Sequence, residues 1–175
     1  MVRLTTFSIS IAIVLSFLGD TTAAPAPAPE VDYVSLIKTG AGLPTVRELG
    51  LTNADLTKPL PRHSKPALNN RDSLEKRYTP KCWDGPRCNR TDILVCYNYF
   101  SSLEFHPCIA GRNAPACSMG GCGWWFNTDD GLPIAVDCHD VALSGAWVLN
   151  NCQGNLTSGS NAAQSDDRFI INIHT

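Results

Sequence analysis

All eight cysteines of this 175-residue chain lie between Cys82 and Cys152. An even count confined to one stretch points to a disulfide framework, whose cross-links shrink the unfolded ensemble and constrain every loop between them. Zinc is the rival use of paired cysteines. Cys117-x4-Cys122 comes near ligand spacing but has no matching second pair. The expectation is four disulfides among Cys82, Cys88, Cys96, Cys108, Cys117, Cys122, Cys138 and Cys152, with no metal. Spacing leaves the pairing open, and geometry excludes one bridge. Asp137 to Cys152 reads as a helix, with Asp137 as N-cap, Asp140 in the first turn and Gly154 as the stop. At about 1.5 Å rise per residue, Cys138 and Cys152 stand roughly 21 Å apart, far beyond disulfide reach. Each must tie one end of the helix to another element.

Cys138, Val141, Ala142, Gly145, Val148, Leu149 and Cys152 share one face of that helix, and Gly145 allows close approach of a neighbour. A second amphipathic stretch runs from Asp92 to about Glu104, capped by Thr91 or Asp92 and ended by Pro107. Ile93, Cys96, Tyr97, Phe100 and Leu103 line one side of it. Gly123 to Thr128 (GWWFNT) is an aromatic strand before the turn signal Asp130-Gly131, and Leu132 to Val136 can return as an edge strand. RFIINIH alternates Phe169, Ile171 and Ile173 against Ile170, Asn172 and His174, a strand pattern. The fold class expected is α+β: a small disulfide-stapled domain of two helices packed on an antiparallel sheet.

The sequence upstream of the cysteines has a different character. Residues 1–23 have the parts of a signal peptide: Arg3, an apolar run from Ile9 to Leu18, and small residues ending at Ala23, the expected cleavage point. The apolar run is about ten residues, against the roughly 20 a spanning helix needs, and no later segment is a better candidate for a membrane anchor. Residues 24–77 are Pro-rich, lack cysteine and tryptophan, and read as a disordered propeptide with scope for local structure at VDYVSLI. That segment ends in Lys76-Arg77, a dibasic site for a kexin-type protease. The expected mature domain is 78–175, secreted to the extracellular space. It carries five basic and nine acidic residues, a net charge of −4, which argues against nucleic acid as a partner.

Candidates for chemistry are sparse. Glu104, His106, Arg112 and His139 are residue types suited to acid/base cleavage of RNA or sugars, but no nucleophile elbow, HExxH or P-loop accompanies them. Asp129-Asp130 and Asp166-Asp167 lack the spaced loop of a calcium site and read as solvated turns. Nothing points to a cofactor. Trp124-Trp125-Phe126 is the strongest binding signal. In a strand Trp124 and Phe126 face one way and Trp125 the other, so one face is core and the second either presents an aromatic to a sugar or protein or is itself covered. Asn89-Arg-Thr91 and Asn155-Leu-Thr157 are N-glycosylation sequons.

A signal at Met1–Ala23, Ala-Pro repeats behind it, Lys76-Arg77 and then eight cysteines together resemble fungal small secreted cysteine-rich proteins, including effector candidates and killer-toxin-like proteins. The resemblance extends to a helix beginning VDC and ending NNCQ, followed by the strand FIINI. It implies a fungal, non-enzymatic virulence or toxin-like protein that binds a host or competitor protein or cell-surface glycan, and it carries no active-site residues. A wall-glycan module and a small secreted ribonuclease or glycan hydrolase are the other two expectations.

Overall fold

In the computed structural model the described residues are 30–61, 78–111, 114–152, 154 and 156–175, and of these Val31–Thr175 pack as one unit. In chain order the elements are α1 (Tyr33–Leu36), β1 (Lys38–Thr39), α2 (Asn53–Leu56), β2 (Lys81–Cys82), β3 (Cys88–Asn89), α3 (Arg90–Ser102), β4 (Pro107–Ile109) and β5 (Cys117–Met119). Then follow β6 (Cys122–Thr128), β7 (Ala135–Asp137), α4 (Cys138–Asn151), β8 (Leu156–Thr157), β9 (Gly159–Ala162) and β10 (Phe169–His174). A six-stranded antiparallel sheet has the order β1-β5-β6-β10-β9-β2, and two small two-stranded sheets pair β3 with β8 and β4 with β7. The class is α+β. Beside the two long helices stand the one-turn helices α1 and α2, both outside the expected mature domain.

The long helices cover one face of the sheet. Every residue expected on the inner face of α4 is buried, from Cys138 to Cys152. Gly145 lies against the Trp124 indole so closely that an added Cβ would stand 1.9 Å from Cη2. The sheet contributes Trp124, Phe126, Phe169, Ile171 and Ile173, all at most 3% exposed. Phe100 of α3 contacts both Trp124 and Phe126 of β6, with ring centroids 5.2 and 5.4 Å away, and Phe126 contacts Phe169 of β10 at 5.1 Å, so the aromatic rings of three elements meet at the centre. Ser144 of α4 donates to the Ala162 carbonyl at 2.6 Å, joining the helix to β9.

Four disulfides link residues 82–152: Cys82–Cys152, Cys88–Cys122, Cys96–Cys117 and Cys108–Cys138. Both cysteines of α4 and its C-cap bridge outward, Cys138 to β4 and Cys152 to β2, as the length of the helix requires.

Three expectations are corrected. Helix α3 starts earlier than Asp92: Asn89 is its N-cap, and the Asn89 side chain accepts from the Thr91 amide at 2.8 Å. Asp92 instead sits half-buried in the first turn, where burial pushes its carboxyl upward from the usual range. The strand expected at Leu132 to Val136 does not return against β6. β7 pairs with β4, Cys108 opposite Val136, since the Cys108–Cys138 bridge holds those segments together.

The third correction concerns residues 24–77. Residues 30–61 of that stretch are ordered, because their apolar side chains find a partner in α3. Leu56, Val46 and Ile37 are buried at 0%, 3% and 9% exposure. Thr52 and Asp55 form a reciprocal capping box on α2, and hydrogen bonds from Lys58 and Thr52 hold the Asp55 carboxyl well below the usual carboxylate range. Ala23 lies outside the described residues, as do Lys76 and Arg77.

The turn between β5 and β6 supplies a test of local packing. Gly120 has φ of +56°, and a Cβ there would stand 2.2 Å from Asp92 Oδ2. Gly120→Ala should lower stability by about 1 kcal/mol or more, read as a lower urea midpoint at unchanged m-value.

Candidate binding face

Strand alternation and antiparallel register decide which side chains reach the uncovered face of the sheet. Trp124 and Phe126 point to the helices, so Trp124 is core and offers nothing to a ligand. Trp125 points the other way and is half-buried. Its cross-strand partner on β10 is Asn172, while His174 stands opposite Gly123. Gly123 gives the Trp125 indole room to lie down on the sheet: a Cβ at Gly123 would come within 2.6 Å of Trp125 Nε1. Nε1 is thereby buried. What remains open is part of the apolar ring surface.

His174 joins two tryptophans into a row. Its ring is parallel to that of Trp125, with an interplanar angle of 2° and centroids 5.6 Å apart. On its other side Trp83 lies at 5.6 Å with a 41° tilt. Trp83 follows β2 and is fixed by its own amide, which donates to Ser158 O at 3.1 Å, and by Ser158 Oγ, which donates to the Trp83 carbonyl. Polar groups surround the row on the same face. Asn127, Asn172 and Lys81 belong to it by register, and Tyr78 hydrogen-bonds Ser160 through the two hydroxyls. The result is an apolar strip with amide and cationic neighbours, suited to stacking on the flat face of a sugar ring or to anchoring a protein.

The sequence pointed to Trp125 by alternation. The sequence does not mark Trp83 and His174 as its neighbours, because the contact depends on β10 lying between β6 and β9.

The acid/base candidates are placed elsewhere. Glu104, with φ of +43°, His106 and His139 meet where α3 ends and α4 begins. Their proximity is a backbone matter: His139 N donates to Glu104 O at 3.2 Å and Cys138 N to His106 O at 2.9 Å. The His106 ring instead approaches the Gly42 carbonyl at 3.5 Å. No hydrogen bond or ion pair among the described residues joins the side chains of Glu104, His106 and His139, and Arg112 lies outside those residues. A pocket of about 60 Å³ beside them is lined by Gly40, Leu43, Pro107, Ile109, Pro115 and Phe126. That is well below the roughly 300–1,000 Å³ of ligand pockets.

The acidic pairs are turns tied by one arginine. Arg168 makes a two-pronged contact with Asp166, at 3.1 and 2.8 Å, and reaches Asp130 at 3.8 Å. Among the described residues no group of three or more His, Cys, Asp or Glu is arranged to hold a metal ion. Of the two sequons, Asn89 is exposed, and its cap bond uses Oδ1, leaving Nδ2 for a glycan. Asn155 lies outside the described residues, while the hydroxyl of Thr157 is buried and donates to Cys152 O at 2.6 Å.

Four disulfides with no free cysteine among the described residues are typical of extracellular proteins. No helix among those residues is long and apolar enough to cross a membrane. The chain matches no known family model, and no curated protein or solved structure is significantly similar to it.

Proposed function

We propose that this chain is a secreted, disulfide-stapled binding protein of the fungal effector or toxin-like kind, which acts on a host or competitor cell through the uncovered face of its sheet. The observation that carries the reading is the row Trp125–His174–Trp83, with one ring pair parallel to within 2°, on a face the helices leave open. Flat aromatic surface held at fixed geometry loses little side-chain entropy on binding, and residues of this type dominate binding energies. Asn127 and Asn172 beside the row supply the amide groups that hydrogen-bond sugar hydroxyls, which favours a cell-surface glycan as the ligand class. The negative net charge of residues 78–175 disfavours a polyanionic partner.

The test is retention of the secreted protein on chitin, β-glucan, mannan and intact target cells. Trp125→Ala and Trp83→Ala should each keep the four disulfides and the far-ultraviolet spectrum, yet lose about tenfold or more in affinity, which is roughly 1.4 kcal/mol. The double variant His106→Ala/His139→Ala should bind as the wild type does. Full binding by folded Trp125→Ala and Trp83→Ala refutes the proposed face. Turnover of RNA or an oligosaccharide that disappears in the histidine variant turns the assignment toward a hydrolase.

A further inference from the structure

Residues 31–61 are seated on the cysteine-rich domain by contacts that do not depend on the chain connecting them to it. β1 pairs with β5, Lys38 opposite Ser118 and Thr39 opposite Cys117, and Gly40 N continues the ladder to Ala116 O at 2.8 Å. The stripe of α3 carrying Asn98 and Tyr99 bonds to the same segment. Tyr99 donates its hydroxyl to Pro44 O at 2.6 Å, and the Asn98 amide donates to Leu56 O and Lys58 O at 2.8 and 2.9 Å. Tyr99 is fully buried there, and burial raises its phenol above the ordinary range. Three side chains of the segment, Ile37, Val46 and Leu56, complete the apolar core beside α3. The segment holds no cysteine, so no disulfide joins it to the rest.

We infer that cutting the chain at Lys76-Arg77 leaves Val31–Pro61 in place, giving a two-chain protein held together without covalent linkage. The edge of β5 and that stripe of α3 are the docking surface, and this segment of the same chain is its occupant. The inference rests on the processing reading for its biological setting, while the docking itself can be tested with any cut between Pro61 and Tyr78. Once the peptide bond is broken, dissociation must expose Ile37, Val46, Leu56 and Tyr99 to water and leave the edge of β5 unpaired. Both consequences oppose release.

The experiment treats the full secreted chain with a kexin-type protease and follows the products by native gel filtration and intact mass. Both fragments should co-elute as one species and separate in denaturant without reductant. In the variant Val46→Asp/Leu56→Asp the cut fragments should separate while the fragment from Tyr78 keeps all four disulfides. The inference is overturned if the wild-type fragments part under native conditions, or if the double aspartate variant co-elutes as tightly as wild type. Resistance of Lys76-Arg77 to the protease counts against the processing reading alone, and a recognition sequence for a specific protease inserted after Pro61 then supplies the cut. Should the double aspartate chain not be secreted, Tyr99→Phe tests the same surface. It keeps the ring and removes the bond to Pro44, and its fragments should dissociate faster, by about fivefold for a bond worth roughly 1 kcal/mol.

Discussion

Gly145→Ala should destabilise the domain by about 3 kcal/mol or more, although alanine is the better helix former by about 1 kcal/mol. Packing decides the sign. A methyl group at residue 145 would stand 1.9, 2.3 and 2.9 Å from three carbons of the Trp124 ring. Trp124 is itself fully buried and cannot swing aside, with Phe100 against it. Forcing atoms into a closed core typically costs about 1–3 kcal/mol and more where nothing yields. Trp124→Phe, which removes the obstructing ring, should leave a cavity and lose stability alone. In that background Gly145→Ala should become nearly neutral, a coupling of about 3 kcal/mol in a double-mutant cycle. Urea unfolding of the oxidised protein measures all four corners. Equal losses from Gly145→Ala in both backgrounds would contradict the close approach of α4 to β6.

Full reduction should unfold residues 78–175. A domain of this size is stable by about 5–15 kcal/mol, and each native bridge contributes typically about 2–4 kcal/mol. Four of them account for a contribution as large as the whole. Loss of the near-ultraviolet signal of Trp124 on reduction is the readout, together with a thiol titration that finds none in the native protein. The bridges should not open together. Cys82–Cys152 closes 70 residues, against 21 for Cys96–Cys117. In the chain-entropy account those separations correspond to about 4.4 and about 3.3 kcal/mol. Cys82 is also exposed, whereas Cys96 and Cys117 are both at 0%. Limited reductant should therefore open Cys82–Cys152 first, and its loss should be the most damaging of the four. Mass mapping of alkylated cysteines checks the order. An early opening of Cys96–Cys117 would run against it.

How far the sequence reveals this structure depends on the length of each pattern. Helix α4 and strand β10 are legible because their periodicities run through whole elements, and every residue assigned to their inner faces is buried. Half of α3 is legible. Ile93, Cys96, Tyr97, Phe100 and Leu103 follow one stripe, but Val95 and Tyr99 are equally buried on the side where Asn98 and Tyr99 bond to residues 44–58. That side is invisible while those residues are taken as disordered. Their elements are two one-turn helices and a two-residue strand, too short to show a period, and their order comes from α3. The Pro-rich composition on either side hides a run of apolar residues from Val31 to Leu60 that cannot form a core alone. Trp125 is legible as an outward residue, but the row it belongs to is not, since that needs the strand order. The disulfide pairing depends in the same way on which strands are neighbours.

That strand order also bears on how the molecule is assembled. β10 follows every other element in the chain, yet it occupies the middle of the sheet, between β6 and β9. Until it arrives, β1-β5-β6 and β9-β2 are separate ribbons facing an empty slot about one strand wide. All eight cysteines precede it, and the four bridges already fix β5, β6, both long helices and β2. Once closed, those bridges form a covalent frame around the slot that Phe169–His174 fills. Closing it is then a single insertion of six residues rather than a search among pairings. The same step delivers His174 between Trp83 and Trp125, so the aromatic face comes into being only at the moment the sheet is completed.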